Sequence, residues 1–181
     1  MDKLNSRELR DISEEDAQIL SDNLKRLPIY IVLEDILDTY NIGGFFRLAD
    51  GIGASKIYLC CKTDVPPNPK ITKASIGTYK LVPWEYKKTA GAAIKDLKKI
   101  KKMQVLAIEQ HKDSIDYRKI NYSFPLAFVF GHETSGVTAK TLKLVDHIVE
   151  IPMYGINNSL NVMVAAGIAM YYGLEQANNL R

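Results

Sequence analysis

The chain has 181 residues, of which 46% are hydrophobic and 25% charged, a composition typical of a soluble globular protein with one core. Its most apolar stretch, residues 162–174, is shorter than the roughly 18 uncharged residues that a membrane-spanning helix needs, so we expect no membrane partner. The polar N-terminus lacks the apolar centre of a signal peptide, and the adjacent Cys60 and Cys61 suggest neither a disulfide framework nor a metal site, which predicts a cytoplasmic location.

Positive charge is concentrated in one part of the chain. The net charge is only +3, yet residues 62–102 contain eleven lysines and three acidic residues. Such a concentration favours an anionic partner, of which nucleic acid is the usual one. The alternative is a solvated helix face, because Ile94, Leu97 and Ile100 would form an apolar stripe among the lysines of residues 95–102. Charge alone leaves both interpretations open.

Short apolar runs alternate with helical patterns along the chain. Strands are predicted at residues 29–33, 56–60, 80–82, 104–108, 126–130 and 147–151, and helices at 41–52, 89–102, 138–144 and 159–176. This alternation predicts an α/β fold with a mostly parallel sheet and helices on both faces. Residues 1–28 are predicted to form an N-terminal helical extension with a capping box at Ser13 and Asp16, and residues 29–181 the main domain.

Three segments that follow predicted strands are candidates for a site, because ligands of open parallel sheets bind beyond the carboxyl ends of the strands. The first is DTYNIGGFFRLADGIGASKIYLC, residues 38–60. Asn41 is a candidate helix cap, whereas three glycines inside the helix each cost about 1 kcal/mol relative to alanine and suggest close approach of a backbone or ligand. Arg47, in an otherwise apolar helix, either extends to solvent or contacts a phosphate.

The second segment is LAFVFGHETSGV, residues 126–137. Glu133 follows a buried strand, where a carboxylate is either functional or caps backbone amides. His132 is either a base or incidental, and the spacing of the three histidines predicts no metal site. The third segment is VEIPMYGINNSLNV, residues 149–162, in which Ser159 would cap the last helix.

Several common chemistries are excluded by their missing motifs. The chain has no Walker A sequence, no GxGxxG after the first strand and no Ser–His–Asp pattern. P-loop, Rossmann dinucleotide and triad hydrolase functions are therefore not expected.

Together, and in this order, the three segments resemble the motifs of the SpoU (TrmH) family of RNA 2′-O-ribose methyltransferases, in the SPOUT superfamily. NIGGFFRLADGIGA resembles the first motif, FVFGHETSGV the second and IPMYGINNSLNVMVAAGIAMYY the third, and KASIGTYKLVP resembles the segment after the family's second strand. The resemblance covers roughly residues 29–176. One departure is Met163, where a small polar residue is common in the family.

The resemblance implies a SPOUT fold whose C-terminal segment forms a deep trefoil knot. It also implies that S-adenosylmethionine binds in the knot and that no metal is needed. The implied cofactor-binding residues are Ile108, Glu109, Gly131, Ile151, Ser159 and Leu160. The family forms homodimers with the last helix in the interface, where the small residues Ala165, Ala166, Gly167 and Ala169 would suit close helix packing.

The resemblance further implies a catalytic group centred on Arg47, which would contact the phosphate of the target nucleotide. Asn41, Glu133, Ser159 and Asn161 would hold Arg47 and the ribose. Family members that act on ribosomal RNA often carry an added N-terminal RNA-binding domain, for which about 28 residues are too few, so tRNA is the favoured substrate. The alternatives are a ribosomal RNA methyltransferase, an RNA-binding knot protein without activity and, given the basic segment least of all, a small-molecule methyltransferase.

Overall fold

A computed structural model of the chain describes residues 3–179, so the ends of the two predicted domains, residues 1–2 and 180–181, lie outside the described residues. The helices are α1 (Ser6–Asp11), α2 (Glu14–Asn23), α3 (Thr39–Gly51), α4 (Pro69–Ser75), α5 (Ala90–Leu97), α6 (Ala139–Leu142) and α7 (Val162–Asn179). The strands are β1 (Leu27–Glu34), β2 (Ala54–Cys60), β3 (Trp84–Lys87), β4 (Gln104–Ile108), β5 (Ile115–Asp116), β6 (Leu126–Phe130) and β7 (His147–Glu150). Short 3₁₀ helices lie at Thr78–Lys80 and Tyr117–Lys119.

The described strands form a single sheet in the order β3–β2–β1–β6–β4–β7–β5. Every pairing is parallel, which confirms the predicted α/β class. All carboxyl ends therefore lie along one edge of the sheet, called here the carboxyl edge, and all amino ends along the opposite, amino edge. The chain builds β6 on one side of β4 and then returns to place β7 on the other side. The trefoil knot stays a prediction.

Helices cover both faces of the sheet because the strand side chains alternate between two cores. Ile31 and Leu33 pack in one core with the apolar residues of α3, α4 and α7. Val32, between them in β1, packs in the other core with Ala93, Ile94 and their neighbours in α5. All five residues of β6 are buried, as expected of a central parallel strand. No helix in residues 3–179 is long and apolar enough to cross a bilayer.

Two predicted elements differ from the structure. The predicted strand at residues 80–82 is wrong, because left-handed Gly77 starts a turn in which the amides of Lys80 and Leu81 bond to the carbonyls of Gly77 and Thr78, both at 3.0 Å. The strand follows the turn, at Trp84–Lys87. Helix α5 is also shorter than predicted and ends at Leu97, since the next residues turn back towards β4 and Lys102 takes a positive φ.

The N-terminal segment folds as two short helices packed beside the 3₁₀ turn at residues 78–80. Lys80 Nζ donates to the carbonyl of Ile12 at 2.7 Å, and the Ser21 hydroxyl donates to the carbonyl of Leu81 at 2.7 Å. At the start of α2, Ser13 Oγ accepts from the amide of Asp16 at 3.0 Å, which is the capping half of the predicted box. The division into an extension and a main domain stays a prediction.

Candidate active site

A cavity of about 340 Å³ opens at the carboxyl edge, where β4, β6 and β7 end and the segment before α7 crosses them. Its volume lies within the range of small-molecule sites. All six residues predicted to bind a cofactor line this cavity: Ile108, Glu109, Gly131, Ile151, Ser159 and Leu160. They come from three strand ends and one later segment, so the fold gathers residues that are more than 50 positions apart in the chain.

The turn that follows β6 is held by two carboxylates from neighbouring strands. Glu109 Oε2 accepts from the amide of Val137 at 2.7 Å. The buried Glu34, only 4% exposed, accepts from the amide of Thr138 at 2.9 Å and from the Thr141 hydroxyl at 2.6 Å. These bonds join the ends of neighbouring strands and hold the turn, which forms one wall of the cavity at Gly136.

Gly136 makes this turn possible. Its φ is +69°, a conformation that side chains rarely adopt, and a Cβ there would strike the Glu109 carboxylate. Glycine at this position therefore permits both the turn and the close contact with the Glu109 carboxylate.

A third carboxylate, Glu133, joins the second motif to the first. It accepts from Asn41 Nδ2 at 3.0 Å and from the amides of Asp38 at 3.1 Å and Leu37 at 3.3 Å. Partial burial alone would raise the pKa of Glu133, but the hydrogen bonds from Asn41 and from these amides outweigh it and lower the pKa. Glu133 thus lines the cavity and caps backbone amides, which confirms the capping interpretation, and its functional role stays a prediction.

His132 also supports the turn. Its Nδ1 accepts from the amides of Thr134 at 3.0 Å and Ser135 at 3.3 Å. His132 therefore stabilises the turn while also lining the cavity.

The five predicted catalytic residues occupy different positions around this cavity. Glu133 and Ser159 line it, and Asn41 reaches it through its bond to Glu133. Asn161 lies at the rim, between the lining residues Leu160 and Val162. Arg47 is on the third turn of α3 with an exposed side chain, and it is not among the lining residues. Its guanidinium has no hydrogen bond or ion pair with any residue in 3–179, so it is free to bind an anion.

Both predicted helix caps at the site are wrong. Helix α3 begins at Thr39 and is capped by Asp38, whose carboxylate accepts from the amide of Tyr40 at 2.8 Å, because Asn41 is committed to Glu133. Helix α7 begins at Val162, and Asn161 Oδ1 accepts from the amide of Met163 at 2.8 Å. Ser159 lies outside the helix, and its hydroxyl makes no hydrogen bond to the described residues.

The glycines of α3 are explained by close helix packing. A Cβ on Gly43 would strike Ala74 and the backbone of Ser75 in α4, and a Cβ on Gly44 would come within 3.1 Å of Met163 in α7. Close approach of a backbone, one of the two predicted reasons for these glycines, is confirmed for Gly43, whereas Gly44 and Gly51 face the side chains of Met163 and Tyr171.

The exposed face of α7 differs from the predicted one. Ala166 and Ala169 are fully buried in this chain's own core, so they are not available to a partner subunit. The exposed apolar residues are Val164, Ile168 and Tyr171, which lie at i, i+4 and i+7 on one stripe and are 36% to 52% exposed.

The lysines around the end of α5 lie away from the cavity. Because α5 leads into the amino end of β4, residues 98–102 lie towards the amino edge of the sheet, opposite the cavity. Lys98 pairs with Asp146 at 3.0 Å and Lys99 with Asp96 at 2.6 Å. This arrangement favours the solvated helix face over direct contact with a substrate in the cavity.

Sequence reasoning missed Glu34 and Asp38. A weak signal for Glu34 was available, because a charged residue directly ends the buried run IYIVL. Its partners Thr138 and Thr141 are more than 100 residues away, and no local pattern predicts them.

The sequence and fold match those of known proteins. A sequence model of the SpoU rRNA Methylase family matches residues 28–171. The chain is 29% identical over 167 residues to the tRNA (guanosine(18)-2′-O)-methyltransferase of Escherichia coli K12, covering 90% of this chain and 70% of that protein.

Two crystal structures are similar in fold and sequence. The TrmH/SpoU tRNA modifying enzyme of A. aeolicus has a TM-score of 0.76 and 25% identity, covering 92% of this chain and 85% of that one. The AdoMet-bound rRNA methyltransferase of Sinorhizobium meliloti has a TM-score of 0.75 and 28% identity, covering 86% of this chain and 59% of that one.

Proposed function

Since the chain belongs to the SpoU rRNA Methylase family, we propose that it is an S-adenosylmethionine-dependent RNA methyltransferase that methylates a ribose 2′-hydroxyl. The observation that carries this proposal is the cavity at the carboxyl edge, lined by every residue expected to bind the cofactor. The relatives named as 2′-O-methyltransferases and as tRNA-modifying enzymes support the same reaction class.

S-adenosylmethionine suits the residues of this cavity. The apolar side chains of Ile108, Ile151 and Leu160 can cover an adenine ring, and the backbone groups at the three strand ends can bind its polar edge and the ribose. A related structure, of an rRNA methyltransferase, has AdoMet bound. When bound, the cofactor supplies an activated methyl group on a sulfonium sulfur, so the reaction needs no further activation by a metal.

Arg47 positions the substrate and stabilises charge. Guanidinium groups in general are poor bases, so we assign Arg47 no role in removing the proton. A free, exposed arginine is instead suited to bind a phosphate through two N–H groups, and to stabilise the negative charge that develops on the 2′-oxygen as its proton leaves.

The remaining candidates orient the ribose. The Asn41–Glu133 bond fixes the first turn of α3 against the cavity, so the helix that carries Arg47 has a defined position. The hydroxyl of Ser159 and Nδ2 of Asn161 donate no hydrogen bond within residues 3–179 and are available to the substrate, while Asn161 Oδ1 is used in capping α7.

We favour tRNA as the substrate. The relative from E. coli is named as a tRNA methyltransferase, and the similar structure from A. aeolicus is a tRNA modifying enzyme. Ribosomal RNA is the second candidate, because the structure from S. meliloti is that of an rRNA methyltransferase and the family description names rRNA. A cytoplasmic location is part of this proposal, and the free thiols of Cys60 and Cys61 support it.

A homodimer is part of this proposal. The stripe of Val164, Ile168 and Tyr171 on α7 is exposed in the single chain. Ile168 and Tyr171 also line a groove together with Tyr117, Tyr172 and Leu174. Such a stripe on a helix that also borders the cavity would suit an isologous contact with a second copy.

The substrate assignment is tested by incubating the protein with radiolabelled S-adenosylmethionine and either purified tRNA or ribosomal RNA from cells that lack it. We expect label in tRNA at a single position and little in ribosomal RNA. If only ribosomal RNA is labelled, the substrate is ribosomal RNA and not tRNA. If neither RNA is labelled although the protein is properly folded, the proposed function is contradicted.

A further inference from the structure

Helix α3 presents an exposed tyrosine that the proposed reaction does not use. Tyr40 is 60% exposed, and its ring and hydroxyl make no aromatic contact or hydrogen bond within residues 3–179. Its backbone, in contrast, is firmly held. The amide of Tyr40 donates to Asp38 Oδ1 at 2.8 Å, and the adjoining Asp38 and Asn41 both bond to Glu133, which lines the cavity. A free aromatic ring therefore stands on a rigid base beside the site.

Tyr40 shares one stripe of α3 with Arg47. Seven residues correspond to almost two turns, so the two side chains lie about 20° apart around the helix and about 10.5 Å apart along its axis. Viewed down the helix axis, the side chains of Tyr40 and Arg47 both point between positions 43 and 44. Both of these positions are glycines and carry no side chain. No side chain of α3 therefore stands between the aromatic ring and the guanidinium, and α4 and α7 pack closely against the helix at the two glycines.

Neighbouring helices pack on both sides of this part of the helix, which we call the α3 stripe: Tyr40, Gly43, Gly44 and Arg47. Gly43 lies against α4 at Ala74, and Gly44 lies against Met163 of α7. Helix α4 also carries Lys70 and Lys73, both exposed and without an ion pair among the described residues. The α3 stripe thus has an exposed aromatic ring at one end, an exposed cation at the other and further positive charge on one side.

These features fit a single strand of nucleic acid. Proteins bind such strands by stacking bases on exposed aromatic rings while basic groups contact the phosphates. We propose that Tyr40 stacks on a base of the RNA next to the methylated ribose while Arg47 holds the phosphate. This inference rests on the proposed RNA substrate. It adds a positioning residue that provides affinity without reading base identity, because every base has a face on which a ring can stack.

Substitution of the ring tests this inference. In the full-length protein, we expect Tyr40→Ala to raise the KM for substrate RNA, and its Kd in filter binding, by roughly 5- to 150-fold, as loss of one stacked base predicts. Affinity for S-adenosylmethionine should not change. Tyr40→Phe and Tyr40→Trp should restore RNA binding to within about twofold of the original protein, since each keeps an aromatic face.

A matched control is Tyr86→Ala, which removes a 48% exposed tyrosine from the edge strand β3 and should leave RNA affinity unchanged. Unaltered RNA binding by Tyr40→Ala, or failure of phenylalanine to restore it, would overturn the inference. A change in sedimentation of Tyr40→Ala that accounts for its loss of binding would also overturn it, by assigning the ring to subunit contact.

The two proposals can fail separately. If the unsubstituted protein methylates no RNA, the proposed function fails, and the binding assay still tests Tyr40 on its own. If it methylates RNA and Tyr40→Ala does so with an unchanged KM, only the stacking role is wrong.

Discussion

Arg47 is the residue whose substitution separates chemistry from cofactor binding. It is exposed, lies outside the lining of the cavity and has no partner in the described chain. We expect Arg47→Ala to reduce methyl transfer by at least about 100-fold, the usual cost of removing a group that stabilises developing charge. The affinity for S-adenosylmethionine should stay within about twofold, since Arg47 does not line the cavity.

Single-turnover rates and calorimetric titration with the cofactor would measure the two effects of Arg47→Ala independently. Arg47→Lys is the matched control, because it keeps the charge but loses the planar pair of donors, and it should restore only part of the rate. Unchanged turnover in Arg47→Ala would remove this arginine from the mechanism.

Glu133 makes the stability of the site dependent on pH. Because its pKa in the folded protein is lowered, the ionised carboxylate contributes stability that is fully present above its ordinary value of about 4.3 and is lost as pH falls through the lowered pKa. We expect Glu133→Gln to be less stable at pH 7 and to lack this acid-dependent component.

Denaturant unfolding of both proteins between about pH 7 and pH 3 would measure this dependence. If the stability difference between Glu133→Gln and the original protein stayed constant over that range, the hydrogen bonds of the carboxylate would not be the cause.

At the scale of elements, the contact between α3 and α4 leaves no room at Gly43. A Cβ there would meet the backbone of α4, which cannot move as a flexible side chain can. Gly43→Ala should therefore lower the free energy of unfolding by about 1–2 kcal/mol, although alanine favours the helix itself. Gly155→Ala, in the exposed segment before α7, is the control, because nothing lies within 4 Å of its added Cβ, and it should be neutral or stabilising. Thermal unfolding of the two variants would compare them, and equal stabilisation of both would contradict the packing described.

The lysines divide between the two edges of the sheet. Lys95, Lys101 and Lys102 belong to α5 and the turn towards the amino edge, whereas Lys70 and Lys73 lie on α4, beside the α3 stripe. We expect Lys70→Gln/Lys73→Gln to weaken RNA binding and to reduce the slope of log affinity against log salt by about 1 for each lost phosphate contact.

The triple variant Lys95→Gln/Lys101→Gln/Lys102→Gln, in contrast, should bind RNA almost as the original protein does. Binding titrations at several salt concentrations would measure both variants. A larger loss in the triple variant would mean that RNA extends to the amino edge.

At the scale of the whole molecule, the exposed stripe of α7 predicts a dimer. Ile168 lies at the centre of the stripe, and a charge there would be buried unpaired in an isologous contact. We expect Ile168→Glu to sediment as a monomer with unchanged secondary structure by circular dichroism, and Lys143→Glu, on the surface near α6, to sediment as the original protein does. A dimer that survives Ile168→Glu would exclude this face as the interface.

Much of this architecture was predictable from periodicity. The strands β4 and β6 begin and end where their apolar runs do, and the parallel α/β class follows from such runs alternating with helices. Boundaries were less predictable at the site. Asn41 and Ser159 are good caps by residue type, but a long-range bond to Glu133 and the irregular segment before α7 move the helix starts to Thr39 and Val162.

Contacts between distant residues account for the rest. The motif resemblance identified residues that converge on one cavity, but Glu34 meets Thr138 and Thr141 only because β1 lies beside β6 in the sheet. Likewise, the burial of Ala166 and Ala169 depends on which face of α7 meets the sheet, and an almost wholly apolar helix does not indicate this in its sequence.

The position of the transferred methyl group tests the central claim most directly. RNA labelled by the protein from S-adenosylmethionine is hydrolysed in alkali, which cleaves every phosphodiester except those that follow a methylated 2′-oxygen. We expect the label to be recovered in alkali-resistant dinucleotides. Recovery of the label in mononucleotides would show that a base is methylated and would contradict the proposed reaction at the ribose.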